Sequence, residues 1–566
     1  MNKISKLFLA ALLFSGTAFA QDEAGKKEKV KVPNNWHHLD AAETGYNGIS
    51  LDKAYTLLKS KNLKNNRVIV AVIDSGIDTL HEDLKPVLWT NPKEIPGNGK
   101  DDDKNGYIDD IHGWNFLGGK DGRNVKEDSY EAARVYYNLK PKWDGKTVDE
   151  ASLSKAEKEE YITFKKAKLK TIGDGDKDNN AQLVMLKRIQ ANLIKSDSLL
   201  KIAMGKTEYT GNDLDAFKPQ NSDDTKAKTT LLNLMKGNEA MDQKNTEFLD
   251  GLKGYIEGEV KKDDAKKNPP KEYRKDIVGD DESNFNDRSY GNNDIMAETS
   301  FHGTHCAGII AAARNNDKGV DGVADNVRIM ALRAVPDGDE HDKDIAYAIR
   351  YAVDNGAKII SMSFGKDFSP EKHWVDDAFR YAESKGVLLV HAAGNDAKNV
   401  DTADNYPNPI YRDGKGRANN VITVGASGNM NNGGLTASFS NYGKAEVDVF
   451  APGVGIYSTI PGGNTYGNAS GTSMACPVVA GVAALILQHY PNLTPQQLKF
   501  VIEKSAVAPT EKVNLPGTDE KVSLSDISKT GGLLNAYEAV KLAGTIKTEK
   551  PKSTLPKSKV KKTKMG

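Results

Sequence analysis

The sequence has few cysteines and no excess of either charge. Its two cysteines, Cys306 and Cys476, are too few for a disulfide-stabilised scaffold, and without a CxxC pair they lack the spacing of a structural zinc site. Lysine plus arginine and aspartate plus glutamate both total 78, so no net field draws the protein to nucleic acid or to an anionic surface. The 566 residues, 28% of them charged, are typical of a soluble globular protein with some solvated segments.

The N-terminal residues predict export. The stretch MNKISKLFLAALLFSGTAFA has a basic start, an apolar run from Leu7 to Phe14 and small residues that end at Ala20. This pattern is typical of a secretory signal peptide that is cleaved after Ala20. A membrane anchor is the competing interpretation, but the apolar run is shorter than the roughly 20 residues that span a bilayer. We therefore expect an exported protein, periplasmic or extracellular, without stable membrane insertion.

Short apolar segments alternating with helical patterns predict an α/β fold around a mostly parallel central sheet. The apolar segments are RVIVAVIDSGID from Arg67, KIISMSF at 358–364, GVLLVHAAGN at 386–395 and NVITVGAS at 420–427. Helical patterns at 342–356 and 375–386 separate them, which favours parallel strands with helices on both faces. Sites in such sheets form at the carboxyl ends of the strands, where Asp74, Ser363 and Asn395 lie.

The composition divides the chain into six segments. Residues 123–288 are dense in charged and polar residues, and leucines at 186, 193 and 200 predict an amphipathic helix, so we interpret the region as a charged, mainly helical insertion. Its leucine stripe indicates ordinary helix packing rather than a partner site. In order, we predict a signal peptide at 1–20, an N-terminal arm or short pro-segment at 21–66, the first part of the main domain at 67–122, the insertion at 123–288, the second part of the main domain at 289–544 and a lysine-rich disordered tail at 545–566.

Three separate segments together supply an acid, a base and a nucleophile. They are VIDSGID with Asp74, SFHGTHCAG with His302 and NASGTSMACPVV with Ser473. Each is weak alone, because Asp after a strand or Ser before a helix is usually a cap. His302 and His305 could instead be a metal pair, but such a site needs a further ligand and the chain has no HExxH pattern. The set favours a catalytic triad.

The three motifs, in the order Asp, His, Ser, resemble those of the subtilisin-like (subtilase) serine proteases. The resemblance covers about residues 68–121 and 290–542, and residues 437–486 are similar to a subtilase along almost their whole length. It implies a subtilisin-like three-layer fold. It also implies an exported serine endopeptidase that hydrolyses peptide bonds through an acyl-enzyme, with protein or peptide substrates and no cofactor for catalysis.

The resemblance assigns a role to each candidate residue. His302 accepts the proton of Ser473, Asp74 orients the imidazole, and the side-chain amide of Asn395 donates to the oxyanion. His305 is then a packed, hydrogen-bonded histidine. The remaining matches are to substrate-binding residues. The edge segment that adds the substrate as an extra strand is formed by Ser363, Phe364 and Gly365. The opposite wall of the pocket is formed by Ala392, Ala393 and Gly394.

Two questions stay open from the sequence. A catalytically silent, subtilase-like binding protein is the alternative function, although such a module would need neither the triad nor Asn395. Cys306 and Cys476 lie on helices that the family packs together, so we expect free buried thiols but do not exclude a disulfide.

Two acidic regions predict structural calcium. The stretch GNGKDDDKNGYIDDIHGWNF at 97–116 places alternating oxygen ligands before a glycine, as a calcium loop does, although His112 stands where an EF-hand has its glutamate. A solvated acidic turn is the alternative. The candidate ligands there are Asp101, Asp103, Asn105, Asp109 and Asp110. The resemblance also implies a calcium site with Asp83 and Asn315, in a loop that differs from the family pattern by one residue.

Overall fold

The computed structural model describes residues 32–173, 180–238, 240–241, 243–429 and 434–547. The predicted signal peptide, the start of the N-terminal arm and nearly all of the lysine-rich tail lie outside the described residues.

Seven parallel strands form the central sheet, which confirms the predicted α/β class. They are β1 (Val68–Asp74), β2 (Gly113–Asn115), β3 (Val327–Arg333), β4 (Ile359–Met362), β5 (Leu388–Ala392), β6 (Val421–Ser427) and β7 (Val449–Pro452). Their order across the sheet is β2-β3-β1-β4-β5-β6-β7. Two small antiparallel pairs lie outside it, β8 (Ile456–Ile460) with β9 (Thr465–Ala469) and β10 (Val513–Asn514) with β11 (Lys521–Val522).

The helices of the described residues divide between the main domain and the insertion. In chain order they are α1 (Ala41–Thr44), α2 (Leu51–Lys61), α3 (Glu131–Trp143), α4 (Lys155–Ile172), α5 (Asn180–Met204), α6 (Gly211–Ala216), α7 (Ser222–Gly237), α8 (Asn245–Asp264), α9 (Phe301–Ala311), α10 (Asp342–Asp354), α11 (Lys372–Ser384), α12 (Thr472–His489), α13 (Pro495–Lys504) and α14 (Ala536–Ala543).

The sheet is buried on both faces, which explains why its strands have almost no polar residues. In β1, Val70 and Val72 point into one apolar core with α2, α9, α12 and α14, while Ala71 and Ile73 point into a second core with α10 and α11. Successive side chains of a strand face opposite ways, so a strand between two helical layers must be apolar throughout. The result is a three-layer fold.

Helix α12 lies at the centre of the first core. Within the described residues it is the one helix long and apolar enough to cross a membrane by length and composition, but 89% of it is buried inside the protein. It packs against β1, β4, β5, β6 and β7. We therefore interpret it as the core helix of the domain.

Residues 32–66 pack into the main domain. Trp36, Ile49, Leu51 and Leu58 are buried in the same apolar core as the sheet, and α2 packs against α14 near the other end of the chain. This part of the predicted N-terminal arm therefore contributes to the core.

The insertion contains two separate packing units. Helices α3 and α4 enclose Tyr136, Trp143 and Phe164, together with Phe368 of the main domain. Helices α5, α7 and α8 form a second core that includes the predicted leucine stripe, and Leu193 and Leu200 are almost fully buried in it. The outer unit thus has a core of its own, while the inner unit shares one with the sheet domain.

Buried ion pairs join the start of the insertion to the sheet domain. Glu131 lies 2.8 Å from the Nζ of Lys366, which also lies 2.9 Å from Asp342 at the start of α10. Arg134 pairs with Glu131 at 2.7 Å and donates to the backbone carbonyl of Asp339. Removing one partner of such a cluster would leave an uncompensated buried charge, so this end of the insertion is fixed to the sheet domain.

A second cluster holds the end of the insertion. Arg274 pairs with both Asp280 and Asp344, and Lys343 lies 2.6 Å from Asp280. The side chains of Asp280, Lys343 and Asp344 have almost no contact with solvent. Residues 131–134 and 274–280 lie inside the predicted insertion. Their buried ion pairs nevertheless attach them to the sheet domain.

Candidate active site

The fold brings Asp74 and His302 together at the carboxyl edge of the sheet. Asp74 ends β1, His302 lies in the first turn of α9, and Asp74 Oδ1 is 2.7 Å from His302 Nδ1. The helix can approach this closely because residue 303 is glycine, since a Cβ there would lie 2.2 Å from the Gly76 carbonyl oxygen. A carboxylate accepts, so Nδ1 carries the proton and the neutral ring presents Nε2 as its basic nitrogen.

The pKa of His302 is raised well above the ordinary value for histidine. Burial acts against the charged ring, but the neighbouring Asp74 carboxylate outweighs it. Burial also raises the pKa of the nearby Cys306 thiol, so at neutral pH that group is uncharged and Asp74 supplies the stabilising charge. The Asp74 carboxylate therefore stabilises the protonated imidazole of His302.

Ser473 lies in the first turn of α12 and lines a cleft. Its hydroxyl donates to the Ser363 carbonyl at 3.2 Å. The Ser473 carbonyl accepts from the Ser363 hydroxyl at 2.9 Å and from the Cys306 thiol at 3.3 Å. Catalytic hydrogen bonds are often loose without substrate, and here both the backbone carbonyl and the hydroxyl of Ser473 are hydrogen-bonded to protein groups.

Asn395 is oriented by the same turn. Its Oδ1 accepts from the backbone N–H and the hydroxyl of Thr472, both at 2.9 Å. Fixing the oxygen in this way leaves the amide N–H groups of Asn395 as its remaining donors. The backbone N–H of Ser473, in the first turn of a helix, has no intrahelical acceptor. Two kinds of N–H donor therefore lie beside the serine.

His305 and the two cysteines are structural. His305 is fully buried and its Nε2 donates to the Gly467 carbonyl at 3.1 Å, while burial lowers its pKa to about 4. This agrees with a packed histidine rather than a metal ligand. Cys306 and Cys476 are both free and buried, which decides the question that the sequence leaves open.

A cleft of about 1010 Å³ runs from Ser473 along the sheet edge. Of the predicted substrate-binding residues it is lined by Ser363, Phe364, Gly365, Ala392 and Gly394. Ala393 does not line it, because its side chain is fully buried in an apolar cluster with Leu435 and Phe450. Neighbouring residues of an extended segment face opposite ways, so Ala392 and Gly394 face the cleft and Ala393 faces the core.

The insertion supplies cleft residues that the sequence did not identify. Helix α8 lines the cleft with Lys253, Glu257, Val260 and Lys261, on the same cavity as Ser473. No local pattern marks these residues, because their place depends on how the insertion folds back over the sheet.

The predicted calcium site at Asp83 and Asn315 stays a prediction, and the structure shows which protein groups these residues contact. The Asp83 carboxylate accepts from the side-chain amide of Asn316 at 2.6 Å and from the Tyr466 hydroxyl at 2.8 Å, so both of its oxygens already have protein donors. The residue beside Asp83 is thus Asn316, whereas the backbone of Asn315 donates to Asp321. In the same loop, Lys318 forms an ion pair with Glu82.

The acidic loop at 97–116 is only partly arranged as predicted. Asp101 and Asp103 converge with Glu94, which the sequence pattern did not indicate. Asp109 instead accepts from the backbone N–H groups of residues 97–99, and Asp110 accepts from Asn91, Asn105 and Tyr351. Asn105 is accordingly a donor to Asp110. Asp109, Asp110 and Asn105 hold the shape of the loop.

Together, the parallel sheet and an Asp–His–Ser set at its carboxyl edge define the class of the subtilisin-like serine peptidases. A family model described as the subtilase family matches residues 65–526, and the chain belongs to this family.

Named relatives agree with this family. A thermophilic serine proteinase from Bacillus sp. (strain AK1) is 41% identical over 240 residues, which cover 42% of this chain and 52% of that protein. Thermitase from Thermoactinomyces vulgaris is 39% identical over 240 residues, covering 42% and 74%. Subtilisin DY from Bacillus licheniformis is 40% identical over 209 residues, covering 36% and 70%. The match thus spans about half the length of the first relative and leaves more than half of this chain unmatched.

The histidine environments predict distinct titrations. His302 should titrate well above 6.5, whereas His305 and His391, both buried, should titrate near 4. Replacing Asp74 by Asn removes the stabilising charge and should lower the His302 pKa, leaving the other two unchanged. Histidine NMR signals followed against pH in a Ser473→Ala background would measure all three. An unshifted His302 pKa in the Asp74→Asn protein would contradict the pairing.

Proposed function

We propose that this protein is an exported serine endopeptidase that hydrolyses peptide bonds through an acyl-enzyme. The observation that carries the proposal is the 2.7 Å contact between Asp74 and His302, with the Cys306 thiol lying 3.9 Å from His302 Nδ1 and 3.3 Å from the Ser473 carbonyl. Membership of the subtilase family supports the reaction class, and the N-terminal segment supports export.

Each step of the reaction has a residue suited to it. His302 Nε2 accepts the proton of Ser473 as the hydroxyl attacks the scissile carbonyl, and Asp74 stabilises the resulting imidazolium. The Ser473 backbone N–H and the Asn395 amide stabilise the oxyanion of the tetrahedral intermediate. The imidazolium then gives its proton to the leaving amine, and water hydrolyses the acyl-enzyme with His302 again acting as base. Because the base must be neutral, turnover should rise with pH through the raised pKa of His302.

The substrate backbone has an edge to pair with. Ser363, Phe364 and Gly365 follow β4 and line the cleft beside Ser473. Main-chain hydrogen bonds to such an edge supply affinity without regard to sequence. This geometry favours cleavage within an extended protein or peptide chain. A silent binding protein is the weaker candidate, since it would gain nothing from a buried carboxylate aligned with a half-exposed imidazole.

The nucleophile assignment can be tested directly. Ser473→Ala should abolish hydrolysis of denatured casein and labelling by a serine-reactive phosphonate, because the attacking oxygen is gone. Its far-UV circular dichroism and melting curve should match those of the unchanged protein. Wild-type turnover in this variant would reject the proposed mechanism.

The two histidines of HGTH should differ in effect. His302→Ala should lower turnover by about 10²–10⁴ or more, since it removes the general base, with little change in melting temperature. His305→Ala is the matched control. It removes a fully buried ring bonded to Gly467, so it should lower the melting temperature more than the turnover of the protein that stays folded. The reverse pattern would show that His305, and not His302, is the general base.

We also propose that the insertion limits which substrates reach Ser473. Helix α8 contacts the sheet domain at both ends and lines the cleft between them. At one end, Glu247 lies against Gly467 of β9. A Cβ on residue 467 would lie only 2.9 Å from Glu247 Oε1. At the other end Lys261 donates to the Asp337 carbonyl at 2.9 Å, just beyond β3. A 20-residue helix held in this way forms a wall over the cleft that an extended chain can pass more easily than a folded domain.

Removing the outer unit of the insertion tests this wall. Thr171 and Ala265 both line the cleft, so a Gly/Ser linker can replace residues 174–264 while the inner helices and both ion clusters remain. Phosphonate labelling should persist, short-peptide turnover should stay within about threefold, and cleavage of folded protein substrates should rise several-fold more.

Two outcomes would contradict the proposal. If peptide and protein turnover change by the same factor, α8 does not control access. If the shortened protein aggregates and does not label, the outer unit is part of the folding core instead.

A further inference from the structure

Three histidines are buried together where the start of the described chain joins the apolar core around helix α9. His37 and His38 lie in a single helical turn at Trp36–His38, and their ring centroids are 4.1 Å apart. His305 of α9 is close enough to His37 for a charge on one ring to act on the other. None of the three is more than 5% exposed, so solvent has almost no access to the cluster.

Four of the six ring nitrogens in this cluster are buried without a hydrogen bond. They are both nitrogens of His37, Nε2 of His38 and Nδ1 of His305, and they have no partner among the described residues. A neutral imidazole in such a place costs the desolvation of a polar ring. An imidazolium would bury two N–H donors and a full charge, which costs far more. The cluster therefore tolerates the rings only while they are neutral.

The positive groups around the cluster oppose its protonation. Arg314, in the loop after α9, lowers the pKa of His38, and His302 lowers that of His305. Burial acts in the same direction and is the larger cause, so the pKa of His37 falls to about 3 and that of His305 to about 4. A proton on one ring also disfavours a proton on the next.

Acidic groups do not offset these effects. Asp40, the first carboxylate after the two histidines, pairs with Lys53 at 2.9 Å. Glu247 of α8 lies against Gly467, whose carbonyl accepts from His305, but it does not contribute to the pKa of that ring. Across the described ranges, no carboxylate raises the pKa of any of the three histidines.

Residues 36–50, which we call the docking segment, can leave this place without disturbing the sheet. The segment contributes no strand and precedes both α2 and β1. It closes on itself through the Ile49 N–H, which donates to the His37 carbonyl at 2.9 Å. The Trp36 indole reaches the Gly455 carbonyl, next to β8, only at 3.4 Å. Release of the segment is therefore a local opening rather than global unfolding.

We propose that the docking segment is an acid-sensitive latch, which stays on the core around α9 while His37, His38 and His305 are neutral and leaves it when they are protonated. In the released state the histidines regain an ordinary pKa near 6.5, whereas the pKa of each is lower in the docked state. Docking is therefore fully stabilised above about pH 6.5 and loses that stabilisation as the pH falls. Because His305 lies one turn beyond His302, release removes packing from the helix that carries His302.

The test follows amide hydrogen exchange from pH 4 to 7 in the full mature chain with Ser473→Ala, so that autolysis does not interfere. After correction for the intrinsic exchange rate, protection of the docking segment should be constant above about pH 6.5. Between about pH 5.5 and 4 it should fall at least about 100-fold per pH unit, because His37 and His38 each take up one proton on release and each contributes about tenfold. Peptides from β1 and β4 should stay protected.

His37→Phe removes one titrating ring and keeps an aromatic side chain. The fall in protection should become about tenfold smaller per pH unit, which a purely structural role of His37 would not produce. His373→Phe is the matched control, because the His373 side chain is 55% exposed and its loss should leave the pH dependence unchanged. Should His37→Phe fail to fold, His38→Phe tests the loss of one proton in the same cluster.

Three outcomes would overturn the proposal. The first is a protection of the docking segment that does not depend on pH. The second is an equal loss of protection in the segment and in β1, since the opening would then be global. The third is an unaltered pH dependence in a folded His37→Phe or His38→Phe protein. None of these measurements requires peptide hydrolysis, so the result is independent of the proposed function.

Discussion

The hydrogen bond between Asp74 and His302 is the constraint on which the rest of the structure depends. It joins residues 228 positions apart, so the end of β1 and the start of α9 must meet within 2.7 Å although the whole insertion lies between them. The chain must therefore leave this edge of the sheet and return to it. The entropy of closing a long loop grows only slowly with its length, which makes the insertion tolerable. Its position over the cleft follows from where it must begin and end.

Helix α10 connects the regions around this edge. Asp342 pairs with Lys366 beside the start of the insertion, and Asp344 pairs with Arg274 near its end. About two turns further along the helix, Tyr351 donates to Asp110 in the acidic loop. These are buried groups, so losing one partner leaves an unsatisfied charge or donor rather than a solvated one. The helix thus couples the insertion and the acidic loop to the sheet through specific polar contacts.

Sequence patterns were sufficient where the controlling interaction is local or periodic. Unbroken apolar runs predicted the strands around Val70 and Ile360, and the motifs around Asp74, His302 and Ser473 predicted residues that the fold then brings to one edge. Sequence patterns were insufficient where the position of a residue depends on a contact with a residue distant in the sequence. Ala393 faces the core because successive residues of an extended segment face opposite ways. Asn316, rather than Asn315, donates to Asp83. Glu94 lies beside Asp101 because of a turn that the sequence pattern does not predict. Lys261 meets the cleft only because a helical unit folds over it.

The acidic loop and the insertion are consecutive along the chain, which ties the position of the insertion to that of the loop. From Asp103 the chain passes through β2 to residues 126–128, whose backbone pairs with Asp337, and then enters α3 at Glu131. Asp337 is also the residue that anchors the far end of α8. The acidic loop is therefore linked to the edge from which the insertion departs and to which its cleft-lining helix returns. Coupling of this kind runs through packed, hydrogen-bonded elements, and here each link is a named contact.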